Sequence, residues 1–216
     1  MVAGVGAVSL LAQPRTFPLD SPQGLKLNKV AAQAATYQGR KAIRLTEPAG
    51  APAQSEDRLA ILAGAEFQDG VIEVDLAGRP GGGAVEAARG FVGVAFRVAA
   101  DLSKFECFYL RPTNGRAEDQ VRRNHSAQYI SFPQFPWMRL RKETPEMYES
   151  YVDLVPGEWT KVKIEVRGTK ARLFVHGNAQ PTLIVNDLKH GESKGAIALW
   201  IGPGTEAHFS NLRIGK

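Results

Sequence analysis

Apolar and polar residues alternate along most of this chain with a period of two, the period of a half-buried strand. In the segment Gly70 to Gly78, Ile72, Val74 and Leu76 share one face, while Val71, Glu73 and Asp75 share the other. Further on, Val162, Ile164 and Val166 oppose Lys161, Lys163 and Glu165, and Ala171, Leu173 and Val175 form another inward row. The run from Arg40 to Glu47 alternates with Ala42 and either Ile43 or Leu45 inward, and LIVNDL, GAIALWIG and AHFSNLRI complete the series. Gly and Pro turn signals such as RGTK separate these runs. No stretch of ten or more residues carries the 3.6-residue period of an amphipathic helix. The pattern predicts an all-β protein, an antiparallel two-sheet jelly-roll sandwich, over residues 37–216. Residues 13–36, rich in Pro, Ala and Gln, read as an extended N-terminal segment.

Two central strands break the apolar pattern with polar side chains. In the first, Val92, Val94, Phe96 and Val98 take one face, and Gly93, Ala95 and Arg97 the other. A large cation beside two very small residues predicts a groove floor with room above it. The second strand adds Glu106, Tyr109 and Arg111, with Glu106 on the face opposite the other two. Two readings stand side by side: a sugar groove held by charge-assisted hydrogen bonds, or a structural Arg–Glu pair within the sheet.

At 216 residues the chain is long enough for one domain with a two-layer core. The net charge of +5 would suit an anionic partner, but Lys and Arg are scattered and no nucleic-acid motif accompanies them. A nucleic-acid partner is therefore not expected. The single cysteine, Cys107, excludes an intrachain disulfide and sits in an apolar strand as a buried thiol. Residues 1–12, MVAGVGAVSLLA, resemble the apolar region of a secretory signal peptide without its charged start, which reads as a truncated signal. That places the protein outside the cytoplasm, secreted or periplasmic. The segment is too short to span a bilayer. No zinc-type ligand spacing, Asp-rich calcium loop or Gly-x-Ser-x-Gly motif occurs, so neither metal nor cofactor is expected.

Acid–base candidates concentrate in QVRRNHSAQYISFPQFPW, residues 120–137. There His125 is flanked by Arg123, Asn124, Gln128 and Tyr129. It is the candidate proton carrier, with Tyr129 and Glu106 as assistants; the alternative is an ordinary loop histidine. Trp137, Tyr129, Tyr148, Tyr151 and Trp200 are candidates to stack on sugar rings, while Trp159 opens a regular strand and reads as structural. Arg97, Tyr109, Arg111, Asn124, Gln128, Trp137, Tyr151 and Trp200 form the expected substrate-binding set.

The C-terminal third carries a resemblance. The segments GEWTKVKIEVRGTKARLFVHG, QPTLIVNDL and GAIALWIGPGTEAHFSNLRI resemble concanavalin A-like, or laminin-G-like, jelly rolls. FQDGVIEVDL and GFVGVAFRV fit the earlier paired strands of that architecture. Within it the chain looks most like 3-keto-disaccharide hydrolase-like (glycoside hydrolase family 16-like) domains, through Gly93 to Arg97 and Phe105-Glu106. The resemblance implies a carbohydrate ligand in a groove on the concave sheet. The retaining endoglucanases of this fold carry Glu-x-Asp-x-x-Glu; here Glu73 and Asp75 match the first half, and Gly78 stands where the last acid belongs. Two functions remain open: a glycoside-cleaving hydrolase, or a non-catalytic carbohydrate-binding or adhesion module.

Overall fold

The computed structural model of the protein describes residues 13–48, 50, 55–82, 84 and 88–216. Residues 1–12, read above as a truncated signal, lie outside them, as does part of the Gly-rich loop after Gly78. The strands in chain order are β1 (Arg15–Phe17), β2 (Leu25–Asn28), β3 (Ala31–Tyr37), β4 (Arg40–Thr46), β5 (Leu59–Phe67), β6 (Gly70–Pro80), β7 (Val92–Val98) and β8 (Phe105–Leu110). They continue with β9 (Ala127–Phe132), β10 (Glu149–Ser150), β11 (Thr160–Arg167), β12 (Lys170–Val175), β13 (Leu183–Val185), β14 (Gly195–Ile201) and β15 (Thr205–Gly215). Two short helices, α1 (Gln120–Asn124) and α2 (Trp137–Glu143), flank β9. Both are shorter than the ten-residue window in which a helical period becomes legible. Among the described residues no helix is long and apolar enough to cross a membrane.

The strands form two antiparallel sheets. One runs β13-β12-β11-β6-β15-β4-β3, with β1 also paired to β15; the other runs β10-β9-β8-β7-β14-β5-β2. The predicted two-sheet sandwich is what the structure shows. The N-terminal segment differs from expectation: β1, β2 and β3 all pair within the sheets, so the sandwich takes in the chain from Arg15. Its alternation is faint because edge strands bury little, and β3 is mostly exposed Ala, Gln and Thr.

Both sheets contribute to one continuous apolar core. Ile43, Leu45, Ile72, Val74, Leu76, Ile164, Leu173 and Phe209 come from one sheet. Val92, Val94, Phe96, Phe108, Leu110 and Leu199 come from the other. The seam is close at Gly78, where a Cβ would lie 2.4 Å from the Gly90 carbonyl oxygen and 2.6 Å from Val92 Cγ1. Packing thus excludes any side chain from the position an endoglucanase gives to its last acid. Asp75 pairs with Arg40 and Asn211 on the outer face of the eight-stranded sheet, and Glu73 stands beside Lys163 in register. These acids serve a solvated charge lattice.

That same outer face holds a titratable group with a measurable consequence. His208 stacks on Tyr37 with ring centroids 3.8 Å apart and is almost fully buried. Burial pushes its pKa from 6.5 down to about 4; Glu206 opposes that shift, while Arg44 and Arg79 reinforce it. The folded state therefore keeps His208 neutral where the unfolded chain takes up a proton. Its contribution is complete above pH 6.5 and is lost as pH falls toward 4, amounting to about 3 kcal/mol. His125 acts in the same sense and Glu56 in the opposite one. We expect the urea midpoint of the wild type to fall between pH 7 and 4.5, and His208→Phe to remove most of that fall. An equally steep acid limb in the variant would assign it elsewhere.

Candidate functional site

Strand register lines up a row of residues across the seven-stranded sheet. Glu149, Gln128, Tyr109, Gly93, Trp200 and Leu59 are successive Cα partners on β10, β9, β8, β7, β14 and β5. Partners in register share a face, and this face points away from the core. From Glu149 to Trp200 the row spans four strand spacings, about 19 Å. Gly93 sits at its centre. A Cβ there would lie 2.6 Å from Tyr109 Cβ and 2.2 Å from the Phe108 carbonyl oxygen. Glycine lets the Tyr109 and Trp200 rings meet across the strand, with centroids 4.7 Å apart.

Above the row lies a groove of about 520 Å³, within the range of small-molecule sites. Phe91, Tyr109, Trp137 and Trp200 line it, together with Glu56, Ile130, Phe132, Met138 and three prolines. Trp137 is half-buried and overhangs the sheet at the first turn of α2, directly after Pro136. Trp200 is fixed from below, its indole N–H donating to the Glu56 carbonyl at 2.6 Å.

A polar cluster braces one wall. Arg111 Nη2 donates to Tyr109 Oη at 2.8 Å and to Gln128 Oε1 at 3.0 Å, while Nη1 donates to the His125 carbonyl at 3.2 Å. Its guanidinium also lies 5.3–5.4 Å from the ring centroids of Phe91, Tyr109 and Trp137. Glu149 takes both Nε and Nη2 of Arg141, at 3.0 and 2.7 Å. His125 Nδ1 lies 2.9 Å from Glu149 Oε2, a contact that becomes an ion pair when the imidazole takes a proton. Burial holds the His125 pKa below its usual value; Glu149 opposes that, and Arg141 and Arg111 reinforce it. Burial raises the Tyr109 hydroxyl to about 12, so it remains a neutral phenol on the wall.

Of the residues singled out from sequence, Tyr109, Trp137 and Trp200 line the groove. Arg111 and Gln128 stand behind them, and His125 lies one layer further back. Gln128 has no group to spare, because its Nε2 donates to the Tyr129 and Tyr148 carbonyls. Three expectations are corrected. Glu106 and Tyr129 face the core, where Tyr129 Oη donates to Glu106 Oε2 at 2.6 Å and the Lys189 and His190 amides complete the set. They form a buried latch between β8, β9 and the loop after β13, out of reach of His125 as assistants. Arg97 leaves the groove floor because β7 bulges opposite β14, between the partners of Ala196 and Ala198. The extra residue breaks the period-two alternation, and Arg97, at φ +53, turns into the sandwich end. Asn124 and Tyr151 lie outside the groove lining; Asn124 bonds Gln120, and Tyr151 bonds Arg123.

Sequence reasoning missed Glu56, Phe91, Arg141 and Glu149. Glu56 lies in the loop before β5 and is held at the groove by the Trp200 bond. Glu149 belongs to a strand of two residues, too short to alternate. Among the described residues no group of three or more metal-ligating side chains converges.

No protein-family model matches the sequence, and no curated protein matches it at a significant level. Solved structures do match. The chain is similar to the carbohydrate-binding module CBM66 from Bacillus subtilis, with a TM-score of 0.55 and 13% identity, over 88% of this chain and 98% of that one. It is similar to a Bacillus subtilis protein of unknown function with a galectin-like fold, with a TM-score of 0.56 and 12% identity, over 93% and 94%. It is also similar to a native glycosidic hydrolase, with a TM-score of 0.51 and 11% identity, over 96% and 97%. The fold is a galectin-like jelly roll. At these identities the likeness speaks to architecture alone, in agreement with the concanavalin A-like resemblance of the C-terminal strands.

Proposed function

We propose that this protein binds a saccharide in the aromatic groove on the outer face of its seven-stranded sheet, as a non-catalytic recognition domain acting outside the cytoplasm. One observation carries the reading. Five aromatic side chains converge on a groove of sugar-sized volume, above a row that Gly93 keeps open. Ring faces bury the apolar C–H surface of a pyranose and leave its hydroxyls to polar neighbours. The sequence resemblance to 3-keto-disaccharide hydrolase-like domains, and structural neighbours named for carbohydrate binding and glycoside hydrolysis, support the same ligand class. The apolar residues 1–12 support export.

Glycoside cleavage is the second reading. Its support is Glu56, a groove-lining carboxyl whose proton affinity burial raises. Cleavage by the two-carboxylate route needs a second acid roughly 5–9.5 Å away. Among the described residues, Glu56 is the one acid that lines the groove. Recognition is therefore the function we favour.

Trp137 gives the test, since it is a half-buried ring at the rim of the core that lines the groove from α2. Calorimetric titration against neutral oligosaccharides should find a ligand for the wild type. Trp137→Ala should weaken it about 30-fold, ~2 kcal/mol, the loss usual for an aromatic anchor. Wild-type affinity in the variant would move the site off this groove, and release of reducing ends by the wild type would favour cleavage.

A further inference from the structure

Glu56 is anomalous among the groove residues. Among the described residues it is the only one in the lining with a carboxyl, and its backbone is pinned to the Trp200 indole. Among the described residues no hydrogen bond or ion pair reaches its carboxylate, and desolvation alone shifts its pKa upward. The other buried or half-buried carboxylates near this face are all engaged: Glu149 by Arg141, Asp187 by Tyr148 and Lys189, and Glu106 by Tyr129. A desolvated acid without a partner costs stability, so the fold alone gives no reason for it. Glu56 lines the same groove as Tyr109, and its charge disfavours the ionised forms of Tyr109 and Cys107. The guanidiniums of the polar cluster, Arg111 and Arg141, are engaged by Glu149.

We propose that Glu56 sets the ligand's chemistry: its carboxyl takes hydroxyls of a neutral sugar ring seated against the groove's aromatic side chains, and it turns away saccharides that carry carboxylates. This inference rests on the saccharide reading and names the substrate class and the selecting residue. A carboxylate accepts two hydroxyl protons at once, which satisfies the acid and orients the ring. A uronate placed there would set two like charges side by side in a desolvated groove.

The experiment compares neutral gluco-, manno-, galacto-, xylo- and fructo-oligosaccharides with oligogalacturonate by calorimetry, on the wild type and Glu56→Gln. The wild type should prefer a neutral ligand. Glu56→Gln should weaken that ligand about fivefold, strengthen oligogalacturonate, and so cut the preference at least tenfold. The same variant should melt about 2 °C higher at pH 7, because a partly desolvated charge without a partner is gone. An unchanged preference in Glu56→Gln, a wild type that prefers oligogalacturonate, or a lowered melting temperature would each overturn the role of Glu56 while leaving the groove reading intact. A wild type that binds neither class, or Trp137→Ala with undiminished affinity, would instead remove the saccharide reading beneath it.

Discussion

Replacing Arg97 by alanine is expected to cost about 3–5 kcal/mol of stability and to leave saccharide affinity within twofold of wild type. The size comes from the guanidinium's partners. Nε donates to the Gln68 carbonyl at 2.9 Å and Nη1 to the Gly191 carbonyl at 2.8 Å. Nη2 donates to the Gly168 carbonyl at 2.7 Å and to Asp69 Oδ1 at 3.0 Å. One side chain thus ties the β5–β6 turn, the β11–β12 turn and the loop before β14 to the bulge in β7. Its side chain is fully shielded from solvent, so alanine would orphan the carbonyls it serves. Asp69 is half-exposed and resolvates, which keeps the cost below that of a fully buried pair. In a chain of this length the melting temperature should drop by about 10 °C. Urea unfolding gives the first number and calorimetry the second. A stability loss under 1 kcal/mol, or a weakened ligand with stability intact, would return Arg97 to the groove.

Glu149→Ala should be nearly as costly, about 3 kcal/mol, and should also disturb the site. The Glu149 side chain is 3% exposed and that of Arg111 is 5%, with the ions 3.9 Å apart. Arg141 is 31% exposed and regains water when the carboxylate goes, but Arg111 stays buried with a charge no longer balanced. Glu149→Gln keeps the shape and should lose roughly half as much. A readout specific to this cluster is available at His125. Glu149 raises the imidazole's pKa against the pull of burial and of two arginines, so its removal should lower that pKa further. Proton resonances of His125 followed against pH would show it. An unmoved titration would mean that the ion pair does not form in solution.

The sandwich was legible because most of its strands bury one face, and burial of one face writes period two into a sequence. β6, β11 and β12 are read correctly for that reason. The edge strands β2 and β3 were not, since little of either is buried. The site was legible where a strand continued without interruption: Trp200 and Tyr109 follow from parity alone. Parity also separates Glu106 from Tyr109 and Arg111, and the structure turns that separation into core against groove. Arg97 shows how parity fails. A single extra residue in β7 reverses the facing of the residues beyond the bulge, and nothing local announces it. Glu56, Arg141 and Glu149 were out of reach for another reason: each owes its place to contacts made far along the chain, in a loop, a seven-residue helix and a two-residue strand.

The order of the strands has a consequence for how the protein is made. β14 lies between β5 and β7, and β15 lies between β4 and β6. In both sheets a central strand thus leaves the ribosome after the neighbours on either side of it. Until then β5 and β7 cannot be joined through their native neighbour, nor can β4 and β6, and four strands present open edges. The groove is subject to the same delay, because Trp200 arrives long after Tyr109 and Gly93. A nascent chain halted before Gly195 should be a sticky, unfinished pair of half-sheets that pulls down chaperones. Release of the segment from Gly195 through β15 should convert it in a single cooperative step.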